Sequence, residues 1–473
     1  MTSVAGPKRL IPARPPVKLR RVLGVASLTL FGLAYMVPLT IFSSLGPVAQ
    51  VTDNGVAGAY IITLIVMLFT ALSYGKMAQR YPVAGSAYSY SQKAFGGGTG
   101  FVTGWTLMLD YLLLPMLNYL LIGLYMATYI PAVPFWVWVI GGVGLVTILN
   151  VIGIKSVTTY NGLVVALQVI FAVVFIALTI TTVSGQELPS LSVAFTGEDG
   201  TGALFTGAAI LCLSFLGFDA VSTLSEEAKQ PKRDIPRAIM LVTFIGGATF
   251  IMLSFVSYLL IPDWRSFENI DTASAEVIAA AGGVWLSNFF AAMLIAGATG
   301  SALASQASVS RILYTMGRNG VLPRRVFGVL NKRFQTPVRA TLFVSAVGLL
   351  AIVLPLDFVI TIVSFGALAA FTMVNLAVIK KFYFDDKLRS GRETFKYLIL
   401  PGTGFLLTIW LWTSLPGNAL VIGGLWMLLG LIYLVALTKG FRVKPPRLDD
   451  ESDELSTPET ETVGSRESEH TAP

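Results

Sequence analysis

Residues 32–48 read GLAYMVPLTIFSSLGPV, and residues 210–227 read ILCLSFLGFDAVSTLSEE. Each is apolar enough for a membrane interior, yet each is interrupted where a crossing helix should be continuous. Pro38 has no amide hydrogen and its ring clashes with the preceding turn, so the first helix is expected to break or kink there. Gly32, Gly46 and Pro47 loosen the same segment. The second run carries Gly217 and, at mid-depth, the carboxylate of Asp219. Irregular backbone at that depth is tolerated only where it lines a cavity or is buried in protein. Interrupted helices at corresponding positions of two halves point to a transporter's binding site. A proline kink or a glycine packing contact would account for either segment alone. The two together, each opening a set of five spans, favour a site.

The count of spans follows from uncharged stretches of about 20 residues, the length that crosses a bilayer core. Twelve are found, near 22–48, 57–79, 100–129, 134–153, 158–183, 202–225, 238–261, 286–310, 338–354, 357–379, 397–414 and 418–438. The first follows a basic leader without a small-residue cleavage site, so it reads as a span and not a signal peptide. Placing Lys and Arg on alternate loops puts 32 of the 33 on one side and leaves only Arg265 on the other. The opposite loops hold Glu187, Glu198, Asp199, Asp263, Glu268 and Asp271. The positive-inside rule then places both termini in the cytoplasm, as expected of a multi-pass protein of a plasma membrane, here a bacterial inner membrane. A miscounted span would scramble this alternation.

The chain therefore divides into a basic cytoplasmic leader (1–21), a first five-helix set (22–185), a second (202–380), helices 11 and 12 (396–438) and an acidic tail (439–473). Neither tail has the apolar content to fold alone, and the tail is expected to be disordered. The leader reads as an orientation signal or as a segment lying on anionic lipid.

Composition removes the other classes. Of 473 residues, 54% are hydrophobic and 12% charged, with a mean hydropathy of +0.73, against about a quarter charged in soluble domains. The single Cys212 and single His470 exclude a disulfide framework, a histidine triad and a Cys/His metal cluster. No GxxxxGK[ST] loop or nucleophile–base pair is present, so no enzyme and no cofactor is expected. The net charge of +7 sits in the loops of one side and does not indicate nucleic acid. No large signalling domain and no external Cys for tethering a partner are seen, so no obligate protein partner is expected. A channel would want pore-lining rings. The partners left are the lipid bilayer, a small cationic or zwitterionic substrate, and a coupling ion.

Ionisable groups at membrane depth are costly and mark pathways or relays. Asp110 lies about ten residues into the third span, in GWTLMLDYLLLPMLNY. Glu226 and Glu227 close the sixth, where Lys229, Arg233 or backbone amides offer local pairing. For Asp110 and Asp219 the alternatives are bracing the broken helix and direct contact with substrate or proton.

Three motifs resemble one family. FLGFDAVSTLSEEAKQPKRDIPRAI (215–239), SRILYTMGRNGVLP (310–323) and YPVAGSAYSYSQKAFGGGTGFVTGW (81–105) resemble signatures of the amino acid/polyamine/organocation superfamily, in its order. The likeness covers about 20–445. It implies an all-α polytopic fold of 12 transmembrane helices, a LeuT-like five-plus-five inverted repeat plus two C-terminal helices. Within the superfamily, GLAYMVPLTIF, LFTALSYGKMAQRYPVAGSAYSY, WTLMLDYLLLPMLN, SFGALAAFTMVNL and LIYLVALTKGFR are similar to the bacterial putrescine importers. One departure matters: those importers place an Asp where this chain has Ser43. At Gln168 this chain matches them, whereas cationic amino-acid transporters of the superfamily carry a Lys that stands in for sodium.

The resemblance implies a substrate held at the midplane between the two breaks. Freed amides suit a carboxylate and freed carbonyls suit an ammonium. The candidates are Tyr35, Met36, Thr40 and Ser43 from span 1, Asp110 and Tyr111 from span 3, and Ser214, Phe215, Gly217, Phe218 and Asp219 from span 6. Phe215 and Tyr111 could hold an ammonium by cation–π attraction or serve as plain packing. Asn375 and Ser308 are further cavity candidates. Coupling is expected through Asp110, Gln168 and Glu226. Protons are favoured, and sodium, which would use a hydroxyl such as Ser305 or Ser308, is the alternative. The expected function is proton-coupled import of putrescine or a related polyamine by alternating access. The alternatives are import of an amino acid, for which Ser43 speaks, or amino acid/amine exchange.

Overall fold

The computed structural model describes residue 21 and residues 23–443, apart from 83–85, 153–156, 199, 226, 319–321, 332–333, 335 and 441. The leader, the acidic tail with His470, and Glu226 lie outside the described residues. Helices account for the architecture, and the only β-type pairing among the described residues is a bridge between Leu23 and Ala228. Water-free surroundings explain this, since each backbone amide and carbonyl in hydrocarbon must be satisfied within its own helix.

Eleven helices are long and apolar enough to cross a membrane, and Val338–Ile352 is a shorter apolar one that completes twelve. Val25–Thr52 is span 1, Val56–Arg80 span 2, Gly97–Tyr129 span 3, Phe135–Ile152 span 4 and Gly202–Leu224 span 6. Span 5 is Val157–Val183. Pro231–Leu260, Leu356–Asp385, Gly391–Thr413 and Gly417–Leu437 are spans 7, 10, 11 and 12. Span 8 differs most from expectation. Its helix begins at Ala273, well before 286, and turns at Gly283, whose φ of 65° only glycine adopts readily. Span 7 also starts earlier than expected, at Pro231, because Pro at a first helical position and Asp234 in the first turn favour initiation. The stretch after span 2, read as a loop, contains a further helix, Ser86–Phe95.

Spans 3, 6 and 10 are the most enclosed, and spans 4, 11 and 12 the least. On span 12, Leu425, Leu428, Leu429 and Ile432 are all more than half exposed, an apolar face suited to lipid tails. Its opposite side docks on span 3. Trp105 and Trp426 stack at 5.0 Å, and each indole N–H donates to the other's backbone carbonyl, at 2.9 and 2.8 Å.

Span 1 breaks at the proline. Helix Val25–Met36 stops, Val37 takes φ 53°, Pro38–Thr40 forms a 3-10 turn and Ile41–Thr52 resumes. A β-branched residue in that region is strained. Thr40 N–H donates to Val37 O instead of Met36 O, and the Thr40 hydroxyl takes over Met36 O at 2.8 Å. Span 6 unwinds further. Helix Gly202–Leu211 tightens to a 3-10 turn at Cys212–Phe215, Gly217 sits at φ 129°, and Ala220–Leu224 is again 3-10. Neighbours collect its released carbonyls: Ser364 donates to Ile210 O (2.8 Å) and Thr63 to Ala208 O (3.1 Å).

The two breaks touch. A Cβ on Gly217 would lie 2.8 Å from Met36 N and 2.9 Å from Gly32 O, so only a glycine lets the two backbones meet. The same two spans are stitched at one end, where Leu23 N donates to Glu227 O and Lys229 N to Leu23 O. The opposite end is clasped by Arg265, which pairs with Asp53 at 3.0 Å, Asp263 at 3.4 Å and Glu198 at 3.6 Å.

Gly217→Ala should therefore lower the thermal unfolding temperature of purified protein and abolish transport, because it adds both a backbone clash and an unfavourable φ costing about 1–3 kcal/mol. Gly424→Ala, facing open space on span 12, should leave both unchanged.

Candidate substrate site

Beside the span 1 break lies a cavity of about 30 Å³, room for a water or two. Its polar groups are Tyr35, Thr40, Asn118 and Ser301, and its walls are leucines, among them Leu114, Leu117, Leu213 and Leu294. Sequence reasoning anticipated Tyr35, Met36 and Thr40. It missed Asn118 and Ser301, which join spans 3 and 8 through a bond from Asn118 Nδ2 to Ser301 Oγ (3.1 Å), while the same amide donates to Leu114 O (2.9 Å). An asparagine eleven residues from a leucine-rich stretch's start has no local signature; only its partner on another helix marks it.

None of the other candidates lines the cavity. Ser43 is buried, and its hydroxyl is spent on Thr40 O at 2.6 Å within its own helix. Ser214 shares a bond with the Tyr60 hydroxyl at 3.1 Å, and Phe215 packs edge-on against Phe250. Phe218 packs against Tyr74 and Phe371. Tyr111 is buried and senses the charges of Asp110 and Asp219. Of the further candidates, Asn375 donates to Thr70 at 3.2 Å, and Ser305 donates to Ser301 O at 2.6 Å. Ser308 is half-buried.

The two carboxylates are the unusual feature. Asp219 is 3% exposed and accepts the Gly217 amide at 3.1 Å, so it braces the break from inside. Asp110 is equally buried, and its helix runs close against span 10, where a Cβ on Gly366 would meet Asp110 N at 2.9 Å. They are near enough to act on each other electrostatically, and Tyr35 feels both. Among the described residues neither forms an ion pair with Lys or Arg. A buried carboxylate without a counter-charge is costly.

Gln168 on span 5 reaches toward the same break. A Cβ on Gly297 of span 8 would lie 2.4 Å from its Nε2 and 3.0 Å from Val37 Cγ1, and its Oε1 is buried without a partner. Glu227 makes no ion pair with Lys229 or Arg233; its contribution is the backbone carbonyl that binds Leu23. An aromatic cluster packs around Phe42, just after the span 1 break. Phe42 meets Phe171, Phe175 and Phe290 edge-on at 5.2–6.1 Å, and both Tyr125 and Ser274 donate to Phe42 O. No group of three or more His, Cys, Asp or Glu that could hold a metal occurs among the described residues.

Residues 27–434 match the family described as amino acid permease. The chain belongs to that family. It is 40% identical to the low-affinity putrescine importer PlaP of Escherichia coli K12 over 441 residues, 92% of this chain and 97% of that one. It is 27% identical to the branched-chain amino acid permease BcaP of Bacillus subtilis, over 88% and 92% of the two chains. Among solved structures, MhsT in complex with L-phenylalanine aligns with a TM-score of 0.60 at 15% identity, covering 84% of this chain and 99% of that one. Mhp1, a nucleobase-cation-symport-1 family transporter in a closed conformation, aligns with a TM-score of 0.52 at 16% identity, covering 94% and 98%. These likenesses show the fold, a five-plus-five inverted repeat with two added helices. This permease is a multi-pass membrane transporter and not an enzyme.

Asp219→Asn keeps the shape of the break but removes its charge. It should lower kcat/KM for a cationic substrate about tenfold or more, as expected for a hydrogen bond to a charged group. Uptake into proteoliposomes, with the variant's unfolding temperature as control, measures this.

Proposed function

We propose that this permease imports putrescine or a related polyamine by alternating access, driven by protons. The observation that carries the reading is the pair of buried carboxylates, Asp110 and Asp219, with no cationic side chain beside them. A diamine supplies two ammonium groups and a four-carbon chain. The leucines of the adjacent cavity suit the chain, and Tyr35, Thr40 and Asn118 offer oxygens to an ammonium. The identity to a putrescine importer points the same way. Asp219, fixed by the Gly217 amide, is the substrate's counter-charge. Asp110, which accepts no hydrogen bond among the described residues, is the carrier of the coupling proton. Gln168 stands where a fixed cation or a sodium ion would otherwise be held, which favours protons over sodium. In this reading both termini are cytoplasmic, which the distribution of Lys and Arg supports.

Import of an amino acid is the second reading. It rests on Ser43 in place of an Asp and on a cavity whose walls would also suit a branched aliphatic side chain. Uptake of labelled putrescine into proteoliposomes under an inward proton gradient, competed by polyamines and amino acids, separates the two. Competition by amino acids alone would replace the first reading with the second. Asp110→Asn should flatten the pH dependence of uptake while substrate affinity at high pH stays within about threefold, since only a proton site is lost. An unchanged pH profile would make Asp110 a structural residue.

A further inference from the structure

At the span 6 break, three rings gather around Tyr74 to form an aromatic box of four. Tyr74 of span 2 meets Tyr90 of helix Ser86–Phe95 at 6.0 Å, Phe218 at 5.5 Å and Phe371 of span 10 at 6.0 Å, and Phe218 meets Phe371 at 5.2 Å. All four are at most 1% exposed. Edge-on ring packing is ordinary in a core. The hydroxyls are not ordinary. Tyr74 Oη, Tyr90 Oη and Ser86 Oγ are buried and make no hydrogen bond. Tyr74 faces Ser86 and Tyr90 faces Ser222, in each case without the geometry of a bond. Ser86 itself is held at φ 47°, a strained conformation for a serine. Buried polar groups rarely go without partners, and several such groups together ask what they are kept for.

An ammonium group answers the description. It carries three N–H donors and no acceptor, so it matches unspent hydroxyl oxygens, and it is attracted to ring faces. Asp219 borders the box, one residue from Phe218, and its charge is felt by both tyrosines. We propose that Tyr74, Tyr90 and Ser86, with Phe218 and Phe371, form a transit site that receives an ammonium group from Asp219 as the rings part. The packed rings are its closed state. The site lies toward the end of span 2 that carries Arg80, and none of its residues lines the cavity. The inference rests on the reading of the substrate as a cation.

Tyr74→Phe and Tyr90→Phe remove only the oxygens and keep the rings, so packing is preserved. The double variant should bind putrescine with a Kd within about twofold of wild type, yet its maximal putrescine uptake should fall about tenfold, as for a lost hydrogen bond to a charged group. Uptake equal to wild type overturns the transit site. So does an equal loss for a neutral amino acid, if the wild type carries one. Wild-type uptake of putrescine tests the cation reading by itself. If wild type carries another cation, such as lysine, the ratio of variant to wild type is read with that substrate. Should the double variant fail to fold, Tyr74→Phe alone is read by the same ratio.

Discussion

A backbone that leaves the helix in the middle of a membrane must find its hydrogen-bond partners inside the protein, and here the two departures meet each other. Gly217 lies against Met36 N and Gly32 O, at a separation no side chain would permit. Around that contact the remaining loose groups are gathered in. Thr40 takes Met36 O, Ser364 takes Ile210 O, Thr63 takes Ala208 O, and Asp219 takes the Gly217 amide. Each acceptor or donor comes from a different helix or from the break itself. The enclosing spans are therefore fixed in place by the needs of the two interrupted ones.

The same contact concentrates charge where it is least welcome. Asp219 is there because an unwound segment has amides to satisfy, and a carboxylate satisfies them strongly. Its presence beside Asp110 leaves two acids in a region of leucines and aromatic rings. The brace of the break and the proposed counter-charge for a cation are then the same side chain. Burial lowers the local dielectric, which strengthens any ammonium–carboxylate attraction formed there.

Much of this was legible in the chain. Pro38 and Gly217 pointed to the breaks because their two segments each open a set of five spans, where either alone would have passed for a kink or a packing contact. Asp110 and Asp219 stood out by their cost. Uncharged stretches gave the count of spans, the short Val338–Ile352 included, and the alternation of charge agreed with it. What was hidden depends on tertiary contact. Asn118 and Ser301 acquire meaning only through their mutual bond. That the Ser43 hydroxyl directs its hydrogen to Thr40 O, leaving only its lone pairs for another partner, shows only in the fold. The helix Ser86–Phe95 was obscured by its glycine-rich and polar flanks, and the early start of span 8 by the acidic and small residues around Ala273. Neither has the apolar density that marks a span.

The crossed pair of indoles between spans 3 and 12 has a use beyond anchoring. Two tryptophans stacked at 5.0 Å with rings 22° apart are close enough for their electronic transitions to couple. Gly430 lies directly beneath Trp105, so the geometry leaves little freedom to slide. The protein thus carries a built-in optical reporter, in which the near-ultraviolet circular dichroism of Trp105 and Trp426 registers whether the last helix stays docked while the helices around Gly217 rearrange.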